Sequence, residues 1–375
     1  MAKRQEQEPA SEEVSEVAPD VLRMQLPIHL PGLGHVNCYA LLDSEGAAIV
    51  DPGLPGPGTW KAIQDRLRQA GLGVKDVHSV LITHSHPDHF GCAVRFAKEA
   101  DAKIVAHRNF HFGPFATAGE PEVSVDDLAA HHRHAHGPGE TEDEEDVPPK
   151  LREAVDEANR ALERARAHGR TPWGGDRPRP PFAVRMKWRV SHWLGRSFIP
   201  NITDPVEHGD VLRLAGREWF VIHTPGHTSD HFCLHDPAEQ IMLAGDHVLP
   251  SITPHISGVA SSPDPLASFF YSLDRVAEIR DVDRVLPAHG HPFTDLPART
   301  REIKQHHEER LERVRAISQD LGPATVQAFS QQLFRKRSWG AMAESETYAH
   351  LEHLRIAGRA ARYQDDDDQL VYVAG

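Results

Sequence analysis

The chain has 375 residues, with 41 Lys or Arg against 55 Asp or Glu, so its formal net charge is −14 with histidine neutral. An acidic chain binds nucleic acid poorly through charge alone, because phosphate affinity comes mainly from clustered cations. A hydrophobic fraction of 39% is typical of a globular protein with a buried core. Three cysteines without a Cys-x-x-Cys pair argue against a disulfide framework, whereas 27 histidines direct attention to metal chemistry.

Strand and helix patterns alternate over the first third of the chain. Residues 1–20 carry two basic and six acidic residues and no apolar stretch, which predicts a disordered tail without a secretory signal. No later run is apolar enough to span a membrane, so we expect a cytoplasmic protein. Asn37–Asp43 and Ala47–Val50 predict a hairpin. Helices are predicted at Thr59–Ala70 and Phe90–Ala100, and two further strands at Ser79–Thr83 and Lys103–Ala106.

Residues 110–205 differ in character and are predicted to be an insertion. They contain the cluster His131–His136 and an acidic block at Glu142–Asp146, which together predict a solvated loop. A charged helix is expected at Leu151–His168. Strand patterns return between residues 207 and 290, and the helical patterns of Ala298–Ser318, Ala324–Phe334 and Glu346–Arg362 then lead to a predicted hairpin around Asp365–Asp368.

A histidine-rich motif follows directly on the predicted strand Ser79–Thr83. Within six residues it holds three imidazoles and a carboxylate, from His84, His86, Asp88 and His89. Histidine nitrogen and carboxylate oxygen are ligands that zinc accepts in proteins. Because the strand ends abruptly, we expect these side chains to share one tight turn at an edge of the sheet.

Three further segments place candidate ligands just after predicted strands. They are Thr224-Pro225-Gly226-His227-Thr228, Ala244-Gly245-Asp246-His247 and Pro287-Ala288-His289-Gly290-His291. Sites are commonly built from loops at strand ends, so His227, Asp246 and His289 are expected to join the first motif. Seven such ligands suit two metal ions about 3.5–4 Å apart. Four further histidines lie near these motifs, and no pattern shows whether each of them orients a ligand or lies at the surface. They are His231, His247, His255 and His291.

With these motifs in this order, the chain resembles the metallo-β-lactamase-fold hydrolases over residues 21–110 and 207–295. The separations of 138 residues from His89 to His227, 19 to Asp246 and 43 to His289 fit that family, except that the insertion lengthens the first. The resemblance implies an α/β fold, a four-layer αββα sandwich, with a catalytic domain at 21–295. A helical, winged-helix-like C-terminal domain would occupy 296–375.

The resemblance also implies roles for these residues. His84, His86 and His227 would hold one metal ion, Asp88, His89 and His289 a second, and Asp246 would bridge the two. Two zinc ions per chain would share a hydroxide that cleaves an ester, thioester or lactone, with Asp88 and Asp246 as catalytic carboxylates. Asp51 would orient a ligand imidazole, although a turn aspartate before Pro52 and Gly53 is the plainer interpretation.

Two other functions stay open at this point. The subgroup with a winged-helix appendage includes single-strand endoribonucleases, but residues 323–375 hold six Arg or Lys against seven Asp or Glu. That balance disfavours contact with phosphate, so this segment is expected to pack against the catalytic domain or the partner in a homodimer. An iron redox protein of this fold would carry a carboxylate in place of His86, and an imidazole there favours zinc. Iron and manganese stay open as the metal.

Residues 182–199 mix aromatic and basic side chains and give the best indication of substrate. An amphipathic helix that packs through its tryptophans is the plainer interpretation. If the segment is instead a lid, Trp188 and Trp193 would line an apolar pocket, and Arg185 or Arg189 would contact an anionic group. Such a lid suits a small-molecule acyl thioester.

Overall fold

The computed structural model describes residues 4–112, 152–160, 169–175, 186, 197–259 and 262–375. The strands are β1 Val14–Ala18, β2 Val21–Leu30, β3 Leu33–Asp43, β4 Gly46–Val50, β5 Val77–Ile82, β6 Lys103–His107, β7 Asp204–Val206, β8 Val211–Leu214, β9 Arg217–His223, β10 Phe232–Asp236, β11 Ile241–Gly245, β12 Arg284–Pro287, β13 Ala324–Thr325, β14 Ala360–Gln364 and β15 Leu370–Ala374. The α-helices with defined ends are Pro57–Gln69, Pro87–Phe90, Ala93–Ala100, Pro265–Ala277, Leu296–Leu321, Val326–Leu333 and Ala341–Ile356. Residues 152–160 are also helical.

Two sheets pack face to face between layers of helices. The first contains β1 to β7 in sequence order, and the second has the order β12-β11-β10-β9-β8. Apolar side chains from both sheets, including Leu81, Trp219 and Leu243, fill the space between them. A second core joins the first sheet to the helices Pro57–Gln69 and Ala93–Ala100. A third core joins the second sheet to the later helices. The expected four-layer αββα sandwich is confirmed.

Strand direction brings the candidate ligands to one edge of the sandwich. Strands β4, β5, β6 and β7 run parallel, and so do β11 and β12. Five of the six residues of β5 are buried, as expected for a parallel strand covered on both faces. Parallel strands end at the same edge, so the segments that follow β4 and β5 emerge side by side, as do those that follow β11 and β12.

The first 20 residues are not an isolated tail, which corrects the sequence prediction. Strand β1 pairs antiparallel with β2, with Val14 opposite Met24. The fully buried carboxylate of Glu6 accepts hydrogen bonds from Ser251 and from the backbone N–H of Ile252. The acidic composition of the segment concealed this role, because Glu6 finds its donors about 245 residues away in the sequence.

Two predicted helices have different ends in the structure. The helix expected from Phe90 begins at Ala93, because Gly91 lies so close to Pro55 that a Cβ atom there would be 2.1 Å from the proline nitrogen. The last helix ends at Ile356 rather than Arg362, since residues 360–364 form β14 instead. The first of these ends depends on a tertiary contact, whereas the second follows from Gly358, whose φ of +71° terminates the helix locally.

The C-terminal segment combines the helices from Leu296 onward with the small sheet β13-β15-β14. The hairpin predicted around the four aspartates is present as β14 and β15. The resemblance of the whole C-terminal segment to a winged helix stays a prediction. In the described part of the chain, no helix has both the length and the apolar character needed to cross a bilayer.

A buried ion cluster stabilises this segment. The side chain of Glu352 is 1% exposed and forms ion pairs with Arg355 and Arg362, both at 2.8 Å. The hydroxyl of Tyr372 donates to the same carboxylate at 2.6 Å. The cluster therefore joins the last helix to both strands of the hairpin.

Removal of the central carboxylate should destabilise the protein strongly. We expect Glu352→Gln to lower the free energy of unfolding by about 3 kcal/mol, because it leaves two largely buried guanidinium groups with only the half-exposed carboxylate of Glu157 as counter-charge. Chemical denaturation measures this change. The control is Glu312→Gln at the exposed pair with Arg315, which should cost less than about 1 kcal/mol. Equal losses in both variants would contradict the assignment.

Candidate metal centre

The histidine-rich motif begins where β5 ends. After Thr83 the backbone turns, and Pro87 starts the short helix Pro87–Phe90. Proline at the first helical position costs no hydrogen bond, because that N–H has no partner inside a helix. The turn and the helix together direct the side chains of the motif toward the edge of the sandwich where the other candidate ligands emerge.

The first group of ligand atoms contains three imidazoles. His86 Nδ1 lies 3.0 Å from His84 Nε2 and 3.1 Å from His227 Nε2. Asp246 Oδ2 lies 3.9 Å from His84 Nε2 and 3.7 Å from His227 Nε2. Distances of 3.0–3.1 Å between nitrogens fit two bonds of about 2.0–2.1 Å to one tetrahedral ion. These four side chains can hold one metal ion.

The second group lies beside the first and shares one carboxylate with it. His289 Nε2 is 3.6 Å from Asp88 Oδ2, and His89 Nε2 is 3.7 Å from the same oxygen. Asp246 Oδ1 lies 3.4 Å from His289 Nε2, and its Oδ2 lies 3.6 Å from His89 Nε2. Asp246 therefore contacts both groups. All seven predicted ligands come together, although the sequence scatters them over 206 positions from His84 to His289.

Three polar atoms in the centre lack a hydrogen-bond partner among the described residues. They are His89 Nε2, His289 Nε2 and Asp246 Oδ1, all buried. A buried polar atom without a partner is costly, so such atoms usually indicate a ligand, water or ion. Metal ions at this position would satisfy all three, and the residues present therefore fit a divalent metal centre.

Four of the five imidazoles are oriented through their second ring nitrogen. The Nδ1–H groups donate as follows: His84 to Thr83 Oγ1 at 3.1 Å, His89 to Asp51 Oδ2 at 2.8 Å, His227 to the carbonyl of His255 at 2.7 Å, and His289 to the carbonyl of His35 at 2.7 Å. Each bond fixes the tautomer and leaves the lone pair of Nε2 directed into the site. This is the usual arrangement around metal-bound histidines.

Asp51 occupies the orienting position that the sequence suggested. Besides His89, its carboxylate accepts from the backbone N–H of Thr83 at 2.9 Å and from the Thr83 hydroxyl at 2.8 Å. Asp51 is 2% exposed. Three donors converge on one carboxylate, which fixes its orientation and, through it, the ring of His89.

The backbone that carries Asp246 is held by a further histidine. His231 Nε2 accepts from the N–H of Asp246 at 3.0 Å, and His231 Nδ1 lies 2.7 Å from the hydroxyl of Thr224. Gly245 makes this approach feasible, since its φ is +51° and a Cβ atom there would lie 2.5 Å from His231 Nε2. His231 therefore helps to fix the backbone from which the shared carboxylate extends.

Burial and neighbouring charges shift the histidine pKa values of the two ligand groups in different directions. Burial lowers the pKa of His84 and His86 well below the ordinary histidine value, and neighbouring imidazoles lower it further. Burial also opposes a charge on His89, but the carboxylates of Asp51 and Asp246 outweigh it and raise its pKa well above the ordinary value. The first group thus offers neutral imidazoles, which are the form that binds metal.

The sequence did not identify most of the orienting groups. His35 and His255 act through backbone carbonyls, for which no side-chain pattern exists. His231 lies in the same segment as His227, and its spacing does not distinguish it from a surface histidine. Only Thr83, directly between the strand and the motif, has a position that could have been recognised.

The proposed lid residues Arg185, Trp188, Arg189 and Trp193 lie outside the described residues, as does the His131–His136 cluster. The two described ends of the insertion nevertheless meet beside the centre. Phe112 and Phe198 pack on Phe90, with ring centroids 5.1 Å and 5.8 Å away. Phe90 directly follows His89, so the insertion leaves the fold and returns to it next to the candidate ligands.

Comparison with known proteins agrees with this geometry. The family model of the metallo-beta-lactamase superfamily matches residues 31–315. The chain belongs to this superfamily. A metallo-beta-lactamase family protein of Thermus thermophilus has a similar structure, with a TM-score of 0.68 and 27% identity over 96% of this chain and 100% of that one. A beta-lactamase domain protein of Burkholderia ambifaria is also similar in structure, with a TM-score of 0.69 and 26% identity over 98% of this chain and 96% of that one.

Relatives with named activities include a probable metallo-hydrolase, YqjP of Bacillus subtilis. It is 25% identical over 92% of this chain and 95% of its own length. The acyl-coenzyme A thioesterase MBLAC2 of Gallus gallus is 32% identical, over only 36% of this chain and 47% of its own. Family membership, together with the His and Asp clusters, makes this superfamily member a metal-dependent hydrolase.

Replacement of Asp51 should weaken metal binding. In Asp51→Asn only one oxygen remains to accept from His89 and Thr83, and the amide NH₂ would face a donor. We expect affinity for added zinc to fall about 10- to 100-fold, measured by competition with a chromophoric chelator. Asp43→Asn is the matched control, because Asp43 also pairs with a histidine, His78 at 3.1 Å, away from the centre. Unchanged affinity in Asp51→Asn would exclude its orienting role.

Proposed function

We propose that this protein hydrolyses thioester bonds with two zinc ions, one held by each ligand group. The observation that carries the proposal is the position of Asp246, whose two oxygens lie within 3.4–3.9 Å of imidazoles from both groups. A carboxylate shared in this way would join two ions into one unit. His84, His86 and His227 would bind the first ion, and Asp88, His89 and His289 the second.

The donor set supports zinc. The first group offers three neutral imidazoles and a carboxylate, and the second offers two imidazoles and two carboxylates. Such nitrogen and oxygen ligands at tetrahedral spacing are typical of zinc hydrolases. When bound, the ions would lower the pKa of coordinated water and polarise the carbonyl group of the substrate.

The residues of the chain would contribute position and access. Asp88 and Asp246 are the carboxylates closest to where water and substrate would meet, and they are proposed as the catalytic pair that orients them. Residues 85–87 are partly exposed while His84 and His89 are fully buried. The substrate would therefore approach over this turn, beside the aromatic contacts where the insertion begins and ends.

A thioester substrate is supported by two named relatives. Besides the Gallus gallus enzyme, an atrochrysone carboxyl ACP thioesterase of a Cryptosporiopsis species is 30% identical over 40% of this chain and 44% of its own length. Both matches are partial, so the acyl group is left to experiment. A lid in which Trp188 and Trp193 line an apolar pocket, with Arg185 or Arg189 on an anionic group, would suit an acyl thioester.

The test combines metal content with a substrate panel. Purified wild type should contain about two zinc ions per chain and should hydrolyse acyl-coenzyme A thioesters faster than simple esters, lactones or single-stranded RNA. Asp246→Asn should lose at least one ion and roughly a hundred-fold or more of the rate, because it removes the ligand shared by both groups. Elemental analysis and a thiol-release assay give the two readouts.

Asp210→Asn serves as the control, since Asp210 accepts a backbone hydrogen bond in a surface turn. If wild type binds two zinc ions but does not hydrolyse thioesters, the proposed substrate class is wrong and the proposed metal centre stands. Absence of bound metal after incubation with zinc would reject both. Cleavage of RNA in preference to thioesters would establish the nuclease alternative instead.

A further inference from the structure

The segment 247–258 connects the metal centre to the rest of the molecule. It follows Asp246 directly, and near its end the carbonyl of His255 accepts from Nδ1 of His227 at 2.7 Å. It contains neither helix nor strand. One irregular loop therefore carries the backbone of the shared carboxylate at one end and orients a ligand imidazole at the other.

Groups from two distant segments hold the first half of this loop. Arg299, on the helix Leu296–Leu321, donates to the carbonyls of Leu249 at 2.7 Å and Ile252 at 2.8 Å. The buried carboxylate of Glu6 binds Ser251 and Ile252 from the other side. These contacts do not reach His255, whose position must be fixed by something else.

The helix Ala341–Ile356 holds the second half. Oε2 of Glu346 accepts from Nδ1 of His255 at 3.2 Å, and the hydroxyl of Ser345 accepts from the N–H of Gly258 at 3.0 Å. The helix and loop are in close contact there, because a Cβ atom on Gly258 would lie 2.5 Å from the carbonyl oxygen of Ser345. Two consecutive helix residues thus bind the loop on either side of its last turn.

Glu346 is itself held in a single position. Its side chain is 13% exposed, and Oε1 forms an ion pair with Arg310. The hydrogen bond from His255 and the charge of Arg310 outweigh burial and lower the pKa of Glu346 to about 2. The carboxylate is therefore ionised at neutral pH and binds His255 as a charge-assisted acceptor, which is stronger than a neutral one.

Glu346 also belongs to a group with His307 and His350 that could in principle bind a metal ion of its own. His350 Nδ1 donates to the carbonyl of Glu346 at 2.7 Å, and His350 Nε2 lies 3.1 Å from His307 Nδ1. Both carboxylate oxygens are already engaged, one by Arg310 and the other by His255. An ion would have to displace either the guanidinium group of Arg310 or the imidazole of His255, so the contacts favour an orienting role for Glu346.

We propose that Glu346 is a positioning residue for the first metal-binding group, acting on His227 through His255. The inference rests on the proposed function and adds to it that the C-terminal segment helps to set metal affinity. In this arrangement the ionised carboxylate fixes the ring of His255. The backbone of the same residue then presents its carbonyl to His227 and keeps Nε2 of that imidazole directed at the ion.

The test measures affinity for each zinc ion, by chelator competition on metal-depleted protein. Glu346→Ala should weaken one of the two ions about ten-fold, the lower end of what loss of an orienting partner costs. His255→Ala should have the same effect, because it keeps the backbone carbonyl but removes the other end of the hydrogen bond. The double variant should be no weaker than either single variant, since both break one interaction.

Glu344→Ala is the matched control on the same helix, because Glu344 accepts from Trp173 at 3.4 Å rather than from His255. It should leave both affinities unchanged. The thermal midpoint of each metal-depleted variant is measured as well. A purely structural role for Glu346 would lower this midpoint but leave both zinc affinities equal to those of wild type, whereas a positioning role lowers the affinity for one ion.

Three results would overturn the inference. The first is wild-type affinity for both ions in His255→Ala, a variant at a 23% exposed side chain that is expected to fold. The second is additive losses in the double variant. The third is a third zinc ion per chain in wild type that disappears in Glu346→Ala, because the carboxylate would then be a ligand. Absence of zinc binding in wild type would reject the proposed function and this inference together, whereas each of the three results above rejects the inference alone.

Discussion

A hydrogen-bond partner for the second ring nitrogen of each of four buried candidate-ligand imidazoles is the constraint on which the geometry of the centre depends. An imidazole without such a partner could rotate or change tautomer, and its lone pair would no longer face an ion. The four partners come from well-separated parts of the chain: Thr83 after β5, Asp51 after β4, the carbonyl of His35 on β3, and the carbonyl of His255. The candidate ligands are therefore correctly oriented only when both sheets and the loop that carries His255 have packed together.

This requirement explains contacts that otherwise look peripheral. Asn37 on β3 donates to the carbonyls of Pro287 and Gly290, both at 2.8 Å, and so ties the first sheet to the loop that carries His289. His35 accepts from Gly290 and lies 2.8 Å from the carbonyl of Glu8. The N-terminal segment thus supports the centre through His35, although it contributes no candidate ligand.

The sequence predicted which candidate ligands converge far better than it predicted the groups that orient them. Candidate ligands are side chains of particular types at strand ends, so motif and periodicity select His84 or Asp246 as candidates directly. Supports such as the carbonyl of His255 depend on backbone position, which is decided by contacts distant in sequence. The same reason explains the wrong prediction for residues 1–20: composition indicated a solvated tail, whereas Glu6 is buried by a loop near residue 251. The helix start near Gly91 also depended on packing, whereas the helix end at Ile356 follows from Gly358, a local signal that the sequence prediction missed.

The parallel pairing of β6 with β7 has a consequence for how this protein could be re-engineered. Val105 lies opposite Asp204, so the sheet itself holds together the two points between which almost a hundred residues are inserted. The hydrogen-bonded edge and the contacts of Phe90 with Phe112 and Phe198 would remain if the intervening chain were exchanged for that of a relative. Within the insertion, Trp173 packs in the core of the C-terminal helices and Glu157 pairs with Arg355 and Arg362. A chimera that exchanged the insertion would therefore keep its two anchoring ends but would have to preserve these contacts with the C-terminal segment as well.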